Sequence, residues 1–329
     1  MAKTSRLRLI AVAVGTFCGL LLNATQAAAA TAVVVGFTAP ANPESITIDH
    51  KGNIFMSVPL AAKVVELTPG SAQPATFASF TGGVLGVRLD ATGDLFAAVV
   101  GQGIYEVRDG ERTPVLVASP PKGSPESFWN GMAFDHRGNL YVSESTLGEV
   151  WRLSRDGSFT KWASSNLLVG TTAAVCGRPH PAIAAGFGII GANGIFVNKH
   201  GDVLVNNTDF GSVVRIPVNP DGSAGTATNF AGPNCALWGA DGGAIDNQDN
   251  LWVAGNSGNK IVKVDSSGNF SVFSTSTLLN FPTDIAFGTG RGDRKVAYIT
   301  NLGLNAQGSG LTNGSLLRMD IGIPGRPMP

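Results

Sequence analysis

Short runs in which apolar and polar residues alternate dominate the sequence, and helical spacing of apolar residues is nearly absent beyond the first 22 positions. Alternation over short runs predicts half-buried β-strands. Many of the runs come in pairs around Gly-containing turns, for example at Gly52, Gly93 and Gly138, which is typical of β-hairpins. The pattern therefore predicts an all-β protein built from hairpins.

The hairpins belong to a unit that repeats six times. Each unit opens with a short strand and passes through a turn into a second strand, and several units show a third and a fourth. The opening segments are residues 44–49, 85–90, 130–135, 193–198, 241–246 and 283–288. Their starts lie 41 to 63 residues apart, and a four-stranded propeller blade takes roughly 40 to 50 residues.

Six such units predict a six-bladed β-propeller with four-stranded antiparallel blades, formed by residues 31–329 as a single domain. The last unit ends near Met319, too early for a fourth strand of its own. The N-terminal strand at 32–37 can fill that place and close the ring, which leaves no long free edge. A β-sandwich is the competing all-β fold, but six in-phase repeats with the same order of strands and turns disfavour it.

The first 30 residues have the pattern of a secretory signal peptide. Lys3, Arg6 and Arg8 precede an apolar run at 9–22, and the Ala-rich stretch 27–30 offers small residues for cleavage. The run is shorter than the roughly 20 residues of a membrane-spanning helix, although an uncleaved anchor is the alternative. We expect a secreted or periplasmic protein with no stable membrane insertion after signal removal.

The charge balance gives no reason to expect a nucleic acid or an anionic membrane as partner. The chain has 23 basic and 23 acidic side chains, and loss of the signal would leave 20 against 23, a net charge of −3. Motifs for serine hydrolases, nucleotide loops and zinc proteases are absent from the sequence. We expect a small-molecule substrate and no nucleic acid, and the sequence does not define the oligomeric state.

One connection between repeats is longer than the others. The third and fourth units start 63 residues apart, and the excess is an insertion at about 166–190 that contains Cys176 and His180. Cys235 lies in the next connection, so both cysteines would lie on the same face of neighbouring blades. An exported chain with an even number of cysteines favours a disulfide, which would hold the insertion as a lid. Two separate thiols are the alternative.

The first residues of the six units would meet around the central channel, because the innermost strand of each propeller blade runs along it. Four of these positions carry side-chain oxygens: Glu44, Asn130, Asn193 and Asp241. Two carboxylates and two amides suit calcium or another hard cation, and buried carboxylates repel each other without one. Alternatively, Asn or Asp before Gly caps a turn, which explains single positions but not Glu44.

These repeat phrases and the ordered set of four oxygen donors resemble the senescence marker protein/gluconolactonase family of the calcium-dependent phosphotriesterase superfamily, over essentially the whole mature chain. The resemblance implies calcium ligation by Glu44, Asn130, Asn193 and Asp241, with Asp241 also the catalytic base or nucleophile. It implies hydrolysis of a lactone or related ester. Glu44 is followed by Ser45 in this chain, whereas the family commonly has Glu-Gly-Pro. Because of this difference, the resemblance does not imply that the substrate is a sugar lactone.

Further candidates for substrate binding lie near the same end of the channel. They are Trp129, Glu144, Asn207, Asn256 and His180. Each has a structural alternative as a packing or hydrogen-bonding residue. The remaining histidines fall in or beside hairpin turns at the opposite end: His50, His136 and His200.

Two other functions stay open at this level. An NHL-type propeller can serve as a binding platform in which any central ion is structural, since the fold alone does not fix a function. A propeller enzyme similar to strictosidine synthase or to streptogramin lyase is the other alternative. A ring of two carboxylates and two amides favours the hydrolase over both.

Overall fold

A computed structural model describes residues 30–121, 127–177, 179–304 and 310–327 of the chain. Within these ranges the chain forms six four-stranded antiparallel sheets and very little helix. The signal peptide is predicted for residues 1–30, of which 1–29 lie outside the described part. No helix in the described ranges has both the length and the apolar character needed to cross a bilayer.

The first strand of the chain, β1 (Thr31–Phe37), belongs to the last blade. Blade 1 contains β2 (Ile46–Ile48), β3 (Ile54–Val58), β4 (Lys63–Leu67) and β5 (Ala75–Ser79). Blade 2 contains β6 (Val84–Leu89), β7 (Leu95–Val99), β8 (Gly103–Val107) and β9 (Val115–Ala118). Blade 3 contains β10 (Trp129–Phe134), β11 (Leu140–Glu144), β12 (Glu149–Leu153) and β13 (Phe159–Ser164).

The second half of the ring follows the same order. Blade 4 contains β14 (Ala192–Val197), β15 (Val203–Asn207), β16 (Ser212–Ile216) and β17 (Thr228–Ala231). Blade 5 contains β18 (Ala240–Ile245), β19 (Leu251–Gly255), β20 (Lys260–Val264) and β21 (Phe270–Ser274). Blade 6 contains β22 (Pro282–Phe287), β23 (Val296–Asn301), β24 (Gly314–Asp320) and β1.

The innermost strands form a closed ring, because β2, β6, β10, β14, β18 and β22 each contact the next and β22 contacts β2. The fold is therefore the predicted six-bladed β-propeller. Its closure is also confirmed: β1 pairs antiparallel with β24, with Thr31 opposite Met319 and Phe37 opposite Gly314.

The hydrophobic core is divided into six clusters, one between each pair of neighbouring blades. Between blades 1 and 2, for example, Phe55 and Phe77 pack with Leu95 and Val99. Full burial of one such side chain contributes about 2 kcal/mol. The alternating pattern of the sequence supplies apolar residues to both faces of a blade, so the blades adhere to one another.

The recurring Asp at the end of the opening segments has a structural task. Asp49 Oδ1 accepts hydrogen bonds from the backbone N–H groups of Lys51 and Asn53, both at 2.8 Å. Asp135 and Asp246 make the same type of turn in blades 3 and 5. These turns lie at the end of the blades opposite the first residues of the repeats, and the neighbouring histidines are exposed: His50, His136 and His200.

The insertion between blades 3 and 4 carries the short helix α1 (Pro181–Ala184). Cys176 in the insertion is bonded to Cys235 in the connection between blades 4 and 5, which confirms the predicted disulfide and excludes two separate thiols. Near both ends of the insertion, Asp209 Oδ2 accepts the backbone N–H groups of Thr171 at 2.9 Å and Ile190 at 3.0 Å. The segment is thus fastened to the ring at several points.

Candidate functional site

The first residues of four repeats converge on one small cavity in the central channel. Glu44, Asn130, Asn193 and Asp241 all line it, and its volume is about 20 Å³. A space of this size holds a water molecule or a single ion. An organic substrate is too large for it and would have to bind at its mouth.

An irregularity in strand pairing positions three of these side chains. Asn130, Asn193 and Asp241 lie where the register between the innermost and second strands of blades 3, 4 and 5 shifts. Such a β-bulge bends the strand and redirects a side chain. The bulge therefore explains how a residue inside a regular repeat comes to face the channel.

The glycines that follow these residues serve close packing and not turns. Gly131, Gly194 and Gly242 lie within strands and do not have positive φ. A Cβ atom on Gly131 would lie 2.6 Å from the carbonyl oxygen of Asn193 in the next blade, closer than any real Cβ contact. The alternative that Asn and Asp cap turns at these positions is therefore wrong for these three blades.

Each of the three side chains has a polar partner 15 residues further along, at the end of the second strand. Asn130 Nδ2 donates to Ser145 Oγ at 3.2 Å, and Asn193 Nδ2 donates to Thr208 Oγ1 at 2.9 Å. The ionised Asp241 carboxylate has no hydrogen to donate, and its Oδ2 instead accepts from Asn256 Nδ2 at 2.9 Å. Each Asn side chain thus directs an amide N–H to a hydroxyl, and the Asn193 amide also hydrogen-bonds to the Asp241 carboxylate. Both Asn side chains line the cavity, and their carbonyl oxygens are the groups that could bind a cation.

Two of the candidate substrate-binding residues point away from this site. Glu144 and Asn207 immediately precede Ser145 and Thr208, and consecutive strand residues face opposite sides. Glu144 Oε1 accepts the backbone N–H of Phe128 at 2.8 Å. Asn207 Nδ2 donates to the carbonyl oxygen of Leu167 at 2.9 Å. Both residues hold loops in place, so the expectation that they face the substrate is corrected.

Trp129 also lies outside the central cavity. Its side chain is fully buried between blades 2 and 3, where its ring packs edge to face against Trp151 at a centroid distance of 5.7 Å. Together with Glu144 it lines a separate cavity of about 200 Å³. The expectation that Trp129 forms a wall of the channel site is therefore wrong, because its side chain and that of Asn130 point in opposite directions.

Asn256 and His180 do not line the cavity but are connected to it through Asp241. Asn256 contacts Asp241 directly, and His180 Nε2 lies 3.0 Å from Asn256 Oδ1. The insertion therefore contributes a side chain that contacts the channel ring through one intervening residue.

Two charged residues of the cavity were not identified from the sequence. Asp284 Oδ2 accepts from Ser45 Oγ at 2.7 Å, and its Oδ1 accepts the backbone N–H of Gly243 at 2.9 Å. Arg88 Nε donates to the carbonyl oxygen of Met132 at 2.9 Å. The available signal was a charged residue inside an otherwise apolar opening strand, in "LGVRLD" and "TDIAFG".

Burial shifts the ionisation of all three carboxyl groups. It raises the pKa of Glu44 well above its usual value, and the charges of Asp241 and Asp284 add to this. Burial raises the pKa of Asp241 to about 8, although the hydrogen bond from Asn256 opposes the shift. Burial likewise raises the pKa of Asp284, which the Arg88 charge counteracts. When all four groups are ionised the cavity carries a net charge of −2, which one divalent cation would balance.

The residues present fit a hard cation. Glu44 Oε2 is buried and has no hydrogen-bond partner, and a buried carboxylate oxygen is costly to leave unpaired. In the described part of the chain, no three His, Cys, Asp or Glu side chains are grouped as metal ligands. A cation would thus rest on the mixed set of two carboxylates and two amides. Oxygen donors suit calcium or magnesium and disfavour softer metals.

Fold and site together define a six-bladed β-propeller with an acidic, oxygen-lined site in its central channel. Residues 91–303 match the family model described as SMP-30/Gluconolactonase/LRE-like region. The match spans more than half of the chain, which therefore belongs to this family.

Solved structures resemble the chain over most of its length. A luciferin-regenerating enzyme has a TM-score of 0.71 at 17% identity, covering 91% of this chain and 98% of that one. The calcium-binding protein regucalcin from Agrobacterium tumefaciens has 0.65 at 16%, covering 90% and 96%. A gluconolactonase from Xanthomonas campestris has 0.66 at 15%, covering 90% of each chain. At these identities the likeness shows the fold alone. No curated protein matches the sequence at a significant level.

Proposed function

We propose that this protein is a lactonase-type hydrolase that depends on a hard divalent cation such as calcium. Glu44, Asn130, Asn193 and Asp241 hold the cation, and Asp241 also acts as the general base. The substrate is a lactone or related ester that binds at the mouth of the cavity. Membership in a family named for gluconolactonase, and a regucalcin of the same fold described as calcium-binding, support the proposal.

The observation that carries the proposal is the convergence of four oxygen donors on one ion-sized cavity, where Glu44 Oε2 has no partner. A bound divalent cation would polarise a substrate carbonyl oxygen and favour the ionised form of the surrounding acids. A binding platform has no need for carboxylates that converge on a cation with open coordination positions.

Asp241 is the residue best placed to move a proton. Its Oδ2 is held by Asn256, so the carboxylate is fixed in orientation. In the proposed reaction it takes a proton from a water molecule, whose oxygen bonds to the substrate carbonyl carbon. The ester C–O bond then breaks, and the departing alkoxide takes up the proton. Water is consumed, and a lactone gives one hydroxy acid whereas an open-chain ester gives an acid and an alcohol.

We also propose that the protein acts outside the cytoplasm, in the periplasm or secreted. The signal-like N-terminus and the Cys176–Cys235 disulfide support this, since disulfides persist in oxidising compartments. N-terminal sequencing of the mature protein tests it: a start near residue 31 is expected, and an intact N-terminus on protein retained in the cytoplasm would overturn it.

Calcium titration calorimetry on chelator-stripped protein tests the central claim. The wild type should bind one calcium ion, and Glu44→Gln and Asp241→Asn should each lose most of that binding. Asp156→Asn, which changes an exposed turn carboxylate in blade 3, is the matched control and should bind like the wild type.

A panel of lactones and esters, assayed with calcium and with chelator, tests the reaction. Hydrolysis that needs calcium is expected. Calcium binding without hydrolysis of any panel member would favour the binding platform, and absence of calcium binding would remove the metal-dependent mechanism.

A further inference from the structure

His180 is a buried histidine on a segment that the six repeats do not require. It precedes helix α1 in the insertion, and only 3% of its surface is exposed. Its ring lies between two aromatic rings of other connections, 5.9 Å from Trp238 and 6.2 Å from Phe281 between centroids. The insertion thus extends from blades 3 and 4 to the connections that precede blades 5 and 6, where the His180 imidazole packs.

The backbone of the insertion defines which imidazole nitrogen carries the proton. The N–H of Ala182 donates to His180 Nδ1 at 3.2 Å, so this nitrogen is the acceptor that caps the first turn of α1. A neutral imidazole has one acceptor and one N–H. The proton therefore lies on Nε2, which faces Asn256 Oδ1 at 3.0 Å.

This donor in turn fixes the orientation of the Asn256 amide. Asn256 Oδ1 accepts from His180 Nε2 and from Ser257 Oγ at 2.8 Å, while Nδ2 donates to Asp241 Oδ2. A flipped amide would place an N–H group against the imidazole N–H and an oxygen against the carboxylate. His180 therefore stabilises the one orientation in which Asn256 donates to Asp241.

The equivalent positions of blades 3 and 4 need no such support. Ser145 and Thr208 have hydroxyl groups that rotate freely and serve as donor and acceptor at once, and each passes its own hydrogen to a backbone carbonyl of the next blade. The ionised Asp241 carboxylate requires a partner that donates, and an amide supplies this only in one of its two orientations. Blade 5 is also the blade whose partner residue is contacted by the insertion.

We propose that His180 is a positioning residue that acts on Asp241 through Asn256, so that the disulfide-fastened insertion sets the geometry of the channel carboxylate. The role of Asp241 as ligand and base rests on the function proposed above. The hydrogen-bonded chain from Ala182 to Asp241 does not rest on it.

Two substitutions separate the two nitrogens of the imidazole. His180→Gln places an amide N–H near the position of Nε2 and retains the donor toward Asn256. His180→Asn places an oxygen near the position of Nδ1, which retains the helix cap but cannot reach Asn256. Both variants lose the ring, and His180→Asn is the one that keeps the cap. A lower protection of the Asn256 amide in His180→Asn than in His180→Gln therefore cannot come from loss of the cap and reports the donor toward Asn256.

The first readout uses metal-free protein and needs no activity. Protection of the Asn256 side-chain amide protons against solvent exchange is measured by NMR, with the signals assigned by their loss in Asn256→Asp. We expect protection to fall about tenfold or more in His180→Asn and to stay within about threefold of the wild type in His180→Gln. Equal protection in both variants would overturn the proposal.

The second readout is calcium affinity. Residues that orient a metal ligand typically change affinity by about 10- to 100-fold when removed, so we expect at least a tenfold loss in His180→Asn and rescue in His180→Gln. If the wild type binds no calcium, the proposed function fails, and the exchange experiment still decides the role of His180.

Discussion

Blade 2 and blades 3 to 5 share the same strand pair beside the channel but differ in the side chains on it. In blades 3 to 5 the channel residue is Asn or Asp, and the residue 15 positions later is its hydrogen-bond partner. In blade 2 the equivalent residues are Leu85 and Val100, and the same register shift occurs between Val84 and Val87. Since the bulge forms without polar residues, the fold does not require them, and the polar pairs serve the site.

The largest expected effect comes from removing the two acids at the first repeat position, Glu44 in blade 1 and Asp241 in blade 5. Blade 2 has Leu85 at this position. Glu44→Gln combined with Asp241→Asn should abolish calcium binding and lower lactone hydrolysis by roughly 10²- to 10⁴-fold, the usual contribution of a general base. Calorimetry and initial rates measure this. Leu85→Ala in blade 2 is the matched control and should bind calcium like the wild type. A double variant that keeps its calcium affinity would contradict the role of the polar ring.

The second largest expected effect comes from removing the disulfide, which joins the insertion between blades 3 and 4 to the connection between blades 4 and 5. Cys176→Ser with Cys235→Ser opens a cross-link between residues separated by 59 positions, which should lower the free energy of unfolding by about 4 kcal/mol. Urea denaturation with a folded-state far-UV spectrum as reference measures the change. Because the blades are held by their own cores, we expect the variant to remain folded. An unchanged free energy of unfolding would show that the cross-link does not stabilise the protein.

Asp209, which fastens the insertion, should give a pH-dependent effect of about 2 to 3 kcal/mol. Burial raises its pKa from 3.8 to about 6, so the folded state binds the proton more tightly than the unfolded state. Its contribution is therefore most favourable below pH 4 and is lost as the pH rises to 6 and above.

Asp209→Asn keeps an oxygen for the backbone N–H groups of Thr171 and Ile190 and removes the charge. Denaturation at pH 4.5 and pH 7.5 should show that the variant gains stability relative to the wild type at the higher pH. If the stability difference between the two proteins is the same at both pH values, the raised pKa of Asp209 does not affect folding.

The smallest effect concerns the hydroxyl partners. Ser145→Ala and Thr208→Ala leave an amide N–H of Asn130 or Asn193 without its acceptor, so the amide can rotate. We expect about a tenfold loss of calcium affinity for each, measured by calorimetry. Val100→Ala, at the same position in blade 2, should change affinity by less than twofold, and equal losses in all three would remove the distinction between the blades.

The sequence predicts the architecture well because the repeats record it directly. The spacing of the units, the turns and the early end of the last repeat at Met319 together specify six blades and the place of β1. The four channel residues follow from the same alignment, because residues at one repeat position come together in a ring.

The partners of the channel residues are harder to predict because a strand reverses its face at every step. Glu144 and Asn207 are one residue away from Ser145 and Thr208, and that single step moves them to the loops. The channel position of Asp284 was not predicted for a similar reason. The register shift in blade 6 lies between Pro282 and Asp284, and aligning the repeats on Thr283 does not place Asp284 among the channel residues. His180 lies in an insertion with no repeat to align, and only its tertiary contacts reveal its place.

The pairing of β1 with β24 also determines when the molecule can be completed. Thr31 is synthesised long before its partner Met319. During translation β1 therefore has no partner strand while blades 1 to 5 are being made. Contacts between residues so far apart in sequence form slowly. Blade 6 can therefore gain its third and fourth strands only after β24 has been made, and a ribosome-bound chain that stops before residue 314 leaves β1 without its partner strand.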